Sequence, residues 1–173
     1  MPQASKVLPG KFYASAIHWE GWTFQILSSA AGVRLVDLHG TSFAALAERL
    51  NARVVPDDEP NVAVLAQIRE YLRGARQSFA LPLDLRGTPF QLSVWRAVAG
   101  IPYGTVRTYG ELAREIGHAS ATRAVGQAVG ANPTALVIPC HRVVGASGSL
   151  VGYAGGLPLK ERLLALERGS LSL

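Results

Sequence analysis

The chain has 173 residues, 49% of them hydrophobic, enough for one generous domain or two small ones and too apolar for wholesale disorder. Its single cysteine excludes an internal disulfide and a zinc site of several thiolates, and it fits a reducing, cytoplasmic setting. The net charge of +5 points to an acidic partner: residues 83–173 carry nine Lys+Arg against five Asp+Glu, and residues 1–82 only eight against seven.

The opening "MPQASKVLPGKFYASAIHWEGW" has no unbroken apolar segment of the signal-peptide kind, and no later stretch could span a bilayer. "WTFQIL" places Trp22, Phe24 and Ile26 on one face of a strand. "AAG" turns the chain and "VRLVDLH" returns it, which predicts an antiparallel hairpin. A helix follows, with Phe43, Leu46, Ala47 and Leu50 at helical spacing after Thr41 and Ser42, either of which can cap it. "VVPDDEPN" reads as a polar, solvated break. A second helix carries Leu65, Ile68 and Leu72 on one side and stops at Gly74. "SFALPLDLRG" is an extended connector, and the domain boundary is placed there: an α/β domain over residues 1–82 and a mainly α domain over 83–173.

The second half is well punctuated. In "TPFQLSVWRAVAG" Thr88 is the cap, Pro89 takes the first helical position, Gln91 completes a capping box and Gly100 ends the helix. "TYGELAREIG" repeats the pattern with Thr108, Glu111 and Gly117. After the short "HAS" turn, "ATRAVGQAVGANP" gives another helix, capped by Ser120 and ended before Pro133. Two short helices joined by a turn on a basic half fit a helix-turn-helix, and equally a plain packing unit. Ala121, Ala124, Gly126, Ala128 and Gly130 leave the second of them nearly bare, with Arg123 its only charge. Such a surface suits close approach to another helix or to a nucleic-acid groove. A last helix begins near Pro158 and stops at Gly169.

The cysteine lies in "VIPCHRVVGASG". A lone Cys140 in an apolar stretch is either a small core residue or a nucleophile with His141 as its base. On a regular strand adjacent side chains face opposite ways. Pro139 argues against an interior strand, and a turn would let thiol and imidazole project into one pocket. A neighbouring histidine or arginine stabilises a thiolate. Glu167, 26 residues beyond His141 on the last helix, can orient the imidazole, or is an ordinary exposed helix residue. His18, His39 and His118 are scattered without ligand spacing, so no metal or other cofactor is expected. The residues alone leave three readings: a cysteine nucleophile that is consumed, a cysteine hydrolase that turns over, and a DNA-binding module with an incidental thiol.

"IPCHRVVGASG" resembles the active-site signature of the O6-alkylguanine-DNA alkyltransferases, and "RGTPFQLSVWRAVAGIPYGTVRTYGELA", "TRAVGQAVGANP" and "GYAGGLPLKERLLALE" follow the same family's order and spacing. Together they cover nearly all of residues 85–167, whereas the N-terminal half matches only in its general α/β pattern. The resemblance implies a small antiparallel, ribonuclease-H-like sheet with helices, then a helical domain with a winged-helix-like helix-turn-helix. It implies irreversible transfer of an alkyl group, methyl above all, from O6-alkylguanine in duplex DNA to Cys140, with O4-alkylthymine as a second candidate substrate. The base is flipped out of the stack, and each chain, acting as a monomer or cooperatively along DNA, transfers once.

By position, the resemblance makes Cys140 the acceptor, His141 the base acting through a water, Glu167 its orienting acid, and Tyr109 the phenol that assists departure of guanine. Arg123 matches the finger that fills the vacated stack. Ala121, Thr122, Ala124, Gly126, Gln127 and Tyr109 fall at DNA-contacting positions. Pro139, Val143, Tyr153, Ala154 and Gly155 match the base pocket, and Asn132 the hinge between recognition helix and active-site turn. Ala154 stands where many relatives carry serine, which removes a hydroxyl contact to O6. The tryptophan of the non-transferring relatives is absent, Cys140 standing in its place.

Overall fold

A computed structural model describes residues 10–169. Residues 1–9 of the opening segment lie outside the described residues.

The N-terminal half is built on strands β1 (Lys11–Trp19), β2 (Trp22–Ser29), β3 (Gly32–Asp37) and β4 (Arg53–Pro56), in the order β3-β2-β1-β4. The predicted hairpin is β2–β3, with a register shift at Leu27/Ser28. A second hairpin precedes it: β1 pairs antiparallel with β2 across Glu20-Gly21, and both turn residues have positive φ.

The sheet is mixed rather than antiparallel. Helix α1 (Phe43–Leu50) carries the chain back across one face, so β4 enters alongside β1 in the same direction and pairs with it in parallel. The "VVP" of the expected polar break is therefore the edge strand, and the loop starts at Asp57. Ser42 caps α1 by accepting the Ala45 N–H at 3.2 Å.

The two faces of the sheet have separate partners. Phe12, Ala14 and Leu27 pack with Leu46 of α1. Ile17, Phe24, Ile26 and Val36 face helix α2 (Val62–Leu72), and this core runs on without a break into the C-terminal half. The connector lies along β3, where the Val33 N–H donates to Pro82 O and Asp84 N–H to Val33 O, both at 2.9 Å. Further on, Val36 N–H donates to Pro133 O at 2.8 Å, which ties the sheet to the segment after Asn132.

The C-terminal half holds helices α3 (Pro89–Ala99), α4 (Tyr109–Glu115), α5 (Thr122–Gly130) and α6 (Leu157–Glu167). Both expected capping boxes are present, Thr88 with Gln91 and Thr108 with Glu111. Helix α5 departs from expectation: its N-cap is Ala121, with no side-chain hydrogen bond, and not Ser120. The Ala121 N–H donates instead to His118 O, so a backbone turn makes the entry. Strand β5 (Arg107–Thr108) pairs in parallel with β6 (Val143–Val144), placing the start of α4 beside the segment that follows Cys140. Among the described residues, no helix is long and apolar enough to cross a membrane.

Candidate active site

The active-site turn is shaped by Pro139. Its φ of −80° and ψ of 64° make an inverse γ-turn closed by the Cys140 N–H on Ile138 O at 2.8 Å. A short 3-10 turn, Cys140–Arg142, follows, and Arg142 N–H donates to Pro139 O at 2.9 Å. Asn132 holds the turn from the other side: its side-chain amide donates to Ile138 O at 2.8 Å while its oxygen accepts the Thr134 N–H at 3.0 Å.

The turn separates the thiol from the imidazole rather than sending both into one pocket. Cys140, with 7% of its surface exposed, opens on a cavity of about 280 Å³ whose other walls include Tyr109, Gly126, Asn132, Tyr153 and Ala154. His141 is wholly buried and does not line that cavity; its Nε2 meets Glu167. A larger cavity of about 710 Å³ has Glu167 in its wall with Trp19, Arg73, Tyr103 and Arg162, and among the described residues no cysteine or serine lines it.

Glu167 is far from an ordinary exposed residue. Its Oε1 accepts His141 Nε2–H at 2.7 Å, the Tyr71 phenol at 2.6 Å and Arg142 Nη2–H at 2.9 Å. Its Oε2 accepts Arg142 Nε–H at 2.9 Å and the Gly104 N–H at 3.0 Å. Burial alone would raise the carboxyl, but the hydrogen bonds from His141 and Arg142 hold it down at about 2. An ionised Glu167 accepts the proton on Nε2, so the neutral ring presents a bare Nδ1. That atom has no hydrogen-bond partner among the described residues. Burial also keeps the ring neutral by pushing its pKa below 6.5.

Charge at the thiol comes from an unexpected residue. Arg142 turns away from Cys140, donating to Glu167 and, through Nη1 at 2.6 Å, to Ile101 O. Lys160 supplies the nearby positive charge. It is fully buried, and its ammonium donates to the carbonyls of Val143, Val151 and Gly152 at 2.6, 3.0 and 3.2 Å. Burial raises the thiol's pKa; the Asn132 side chain, Lys160 and the N–H groups of Cys140 and His141 act against that rise. Tyr109 donates to Val151 O at 3.3 Å, and burial raises its pKa, so it remains a donor.

The expected pocket residues divide. Tyr153 and Ala154 line the cavity, as does Asn132, which the resemblance makes a hinge. Pro139, Val143 and Gly155 do not. Pro139 faces the opposite groove, and Val143 is buried with its carbonyl on Lys160. Gly155 is packed so closely that a Cβ there would meet Leu159 Cδ2 at 2.5 Å and Leu38 Cβ at 3.3 Å.

Helix α5 divides too. Thr122, Arg123, Ala124 and Gln127 are exposed and Ala121 is half-buried. Gly126 lets the Tyr109 ring approach to 3.8 Å of where a Cβ would stand. Ala128, read as part of the bare surface, is buried, and its carbonyl accepts the Trp95 indole N–H at 2.8 Å. Among the described residues, no group of three or more His, Cys, Asp or Glu is placed to hold a metal ion.

Residues 89–169 match the family model described as 6-O-methylguanine DNA methyltransferase, DNA binding domain. The chain is 39% identical over 165 residues to the inducible methylated-DNA–protein-cysteine methyltransferase of Bacillus subtilis, an alignment covering 92% of each chain. The crystal structure of the Mycobacterium tuberculosis O6-methylguanine methyltransferase superposes with a TM-score of 0.80 at 36% identity, covering 93% of this chain and 95% of that one. A structure of Mycobacterium tuberculosis OGT in complex with DNA gives 0.78 at 36%, covering 92% and 93%. On the near-complete match to the Bacillus subtilis protein, the chain belongs to the methylated-DNA–protein-cysteine methyltransferase family.

Proposed function

We propose that this protein repairs duplex DNA by moving an alkyl group from O6 of guanine, or O4 of thymine, onto Cys140 Sγ, once per chain. The observation that carries the reading is a sole cysteine opening on a base-sized cavity, backed by a buried imidazole whose Nε2 is pinned to an ionised carboxylate.

The alkyl carbon is saturated and bonded to a poor leaving group, so in-line attack needs a thiolate and a fixed geometry. The thiol proton passes to His141 Nδ1, the one ring nitrogen left free. Because the imidazole stands behind the thiol rather than in the cavity, a water relays that proton. Glu167 stabilises the imidazolium that forms. Sγ forms a bond to the alkyl carbon as the carbon–O6 bond breaks, and the electron pair leaves on guanine. Tyr109, which lines the cavity and remains protonated, hydrogen-bonds to the departing base. The product is a thioether, which has no hydrolytic exit, so the cysteine is not regenerated.

In this reading residues 83–173 carry the DNA contacts and the chemistry, and residues 1–82 brace them. Helices α4 and α5 act as a helix-turn-helix, with Gly126, Val129 and Gly130 of α5 bordering the cavity and Arg123 exposed near its start. Its exposed Ala124 and Gly130 suit close approach to the minor groove, and Arg123 fills the space that the flipped nucleotide leaves. Arg123 is the only charged side chain of α5, in keeping with contacts to phosphate and shape rather than sequence. The free thiol suits a reducing cytoplasm.

Incubation with an O6-methylguanine duplex, followed by peptide mass mapping, tests the assignment. The expected product is one methyl on the peptide holding Cys140, with none on Cys140→Ser. A methyl elsewhere, or repair by Cys140→Ser, refutes it.

A further inference from the structure

Tyr71 belongs to α2, in the half of the chain to which the sequence assigns no chemistry, yet it is fully buried and reaches the histidine–carboxylate pair. Its phenolic oxygen is 2.6 Å from Glu167 Oε1 and 3.1 Å from His141 Nε2. The phenol donates to the same carboxylate oxygen that receives the imidazole N–H at 2.7 Å. Two donors on one oxygen draw on the same negative charge, so each weakens the other's bond.

We propose that Tyr71 is a positioning residue for the transfer step: by donating to Glu167 Oε1 it fixes that carboxylate against His141 Nε2 and limits how basic the imidazole becomes. The proposal rests on the reading of Cys140 as alkyl acceptor and His141 as its base.

The surroundings fit this role. Burial raises the Tyr71 phenol far above its ordinary pKa, so it remains a donor throughout the working range. The ring is held edge-on to Tyr103, with centroids 6.1 Å apart, and tilted against Phe79 at 5.3 Å, which leaves the hydroxyl little freedom. His141 is faced by Cys140 and Arg142 from its own turn, by Glu167 and Lys160 from α6, and by Tyr153 from the loop before α6. Arg142 and Lys160 disfavour the imidazolium and Glu167 favours it. Whatever draws on the charge of Glu167 is therefore felt at His141. Gly104 and Arg142 still hold the carboxylate when the phenol is gone, so the hydroxyl can be removed without freeing Glu167.

The test compares Tyr71→Phe with Phe79→Leu, which disturbs the same packing and leaves the hydroxyl alone. Two readouts are followed against pH: methyl transfer from an O6-methylguanine duplex, and the NMR chemical shift of the His141 ring in the protein without DNA. Loss of the phenol strengthens the His141–Glu167 bond, so in Tyr71→Phe the acid limb of transfer and the His141 titration both move up by roughly half a pH unit. In Phe79→Leu both stay at the wild-type position. Site-specific replacement of Tyr71 by 3-fluorotyrosine preserves shape and donor but makes the phenol more acidic, so the limb moves down. This third protein decides the matter if Tyr71→Phe does not fold. An acid limb or His141 titration that is unmoved in Tyr71→Phe or the fluorinated protein, or that moves equally in Phe79→Leu, overturns the proposal. Failure of the underlying function is distinguishable: a folded wild-type protein that takes no methyl from the duplex refutes the alkyl-acceptor reading, while the His141 titration still reports on Tyr71.

Discussion

Replacing Lys160 by methionine separates charge from shape at the thiol. Methionine matches the length of the lysine stem and fills the buried channel, but it withdraws three charge-assisted hydrogen bonds and the positive charge near Cys140. Val151 and Gly152 are exposed, so water can replace the ammonium at their carbonyls. Val143 is fully buried, and its carbonyl is left without a partner. One orphaned buried carbonyl costs about 1–3 kcal/mol. For a domain of this size each kcal/mol lowers the melting temperature by roughly 2–4 °C, so calorimetry should show a loss of roughly 2–12 °C. The thiol pKa should rise as well, each unit reducing the thiolate about tenfold at neutral pH. Iodoacetamide alkylation of the sole cysteine, followed by mass against pH, reads that shift directly. A variant with wild-type melting and a wild-type thiol titration would show that Lys160 neither ties the pocket loop nor acts on Cys140.

Three further outcomes are expected. Arg123→Ala should slow transfer from duplex DNA roughly tenfold or more, with a smaller effect on a single-stranded oligonucleotide that needs no unstacking; equal rates on the two substrates for wild type and variant would remove the finger role. Affinity for undamaged duplex should fall steeply with salt and little with sequence, and Arg123→Ala should reduce the salt slope by about one, as measured by fluorescence anisotropy. Acid should destabilise the fold in two stages. His141 is kept neutral by burial below its ordinary 6.5, so the unfolded chain binds more protons there and stability declines as pH falls below 6.5. Glu167, held at about 2 against an ordinary 4.5, contributes stability that is lost as pH falls from 4.5 toward 2. Urea midpoints should therefore be lower at pH 5.5 than at pH 7.5, and His141→Asn should lose most of that difference.

Local signals were legible where local physics decides. The capping boxes at Thr88 and Thr108, and the proline and glycine punctuation of the last helix, depend on residues within one turn and appear in the structure as read. Strand β1 was not legible because it buries both faces: Phe12 and Ala14 meet α1 while Ile17 joins the main core, which erases the alternation of a half-exposed strand. The direction of β4 depends on the crossover through α1, which no window of sequence reports.

At the site, Cys140, His141 and Glu167 could be named from the family-like spacing, but the burial of Glu167 follows from Tyr71, Gly104, His141 and Arg142 closing on it from distant parts of the chain. Tyr71 lies 70 and 96 residues from its partners, a pairing that only the tertiary fold creates. Lys160 did leave a trace. With Leu163, Leu164 and Glu167 it falls at i, i+3, i+4 and i+7, the buried stripe of α6, and two charges on an apolar stripe mark buried ion chemistry.

An acceptor cysteine that forms a thioether is consumed in the reaction, so Cys140 should act once. Incubating the protein with a large excess of O6-methylguanine duplex and counting restored guanines per chain tests it most directly. A plateau at one guanine per chain is expected, with all Cys140 converted to S-methylcysteine. Continued repair beyond one per chain, or tight binding of the damaged duplex with Cys140 unmodified, would contradict it.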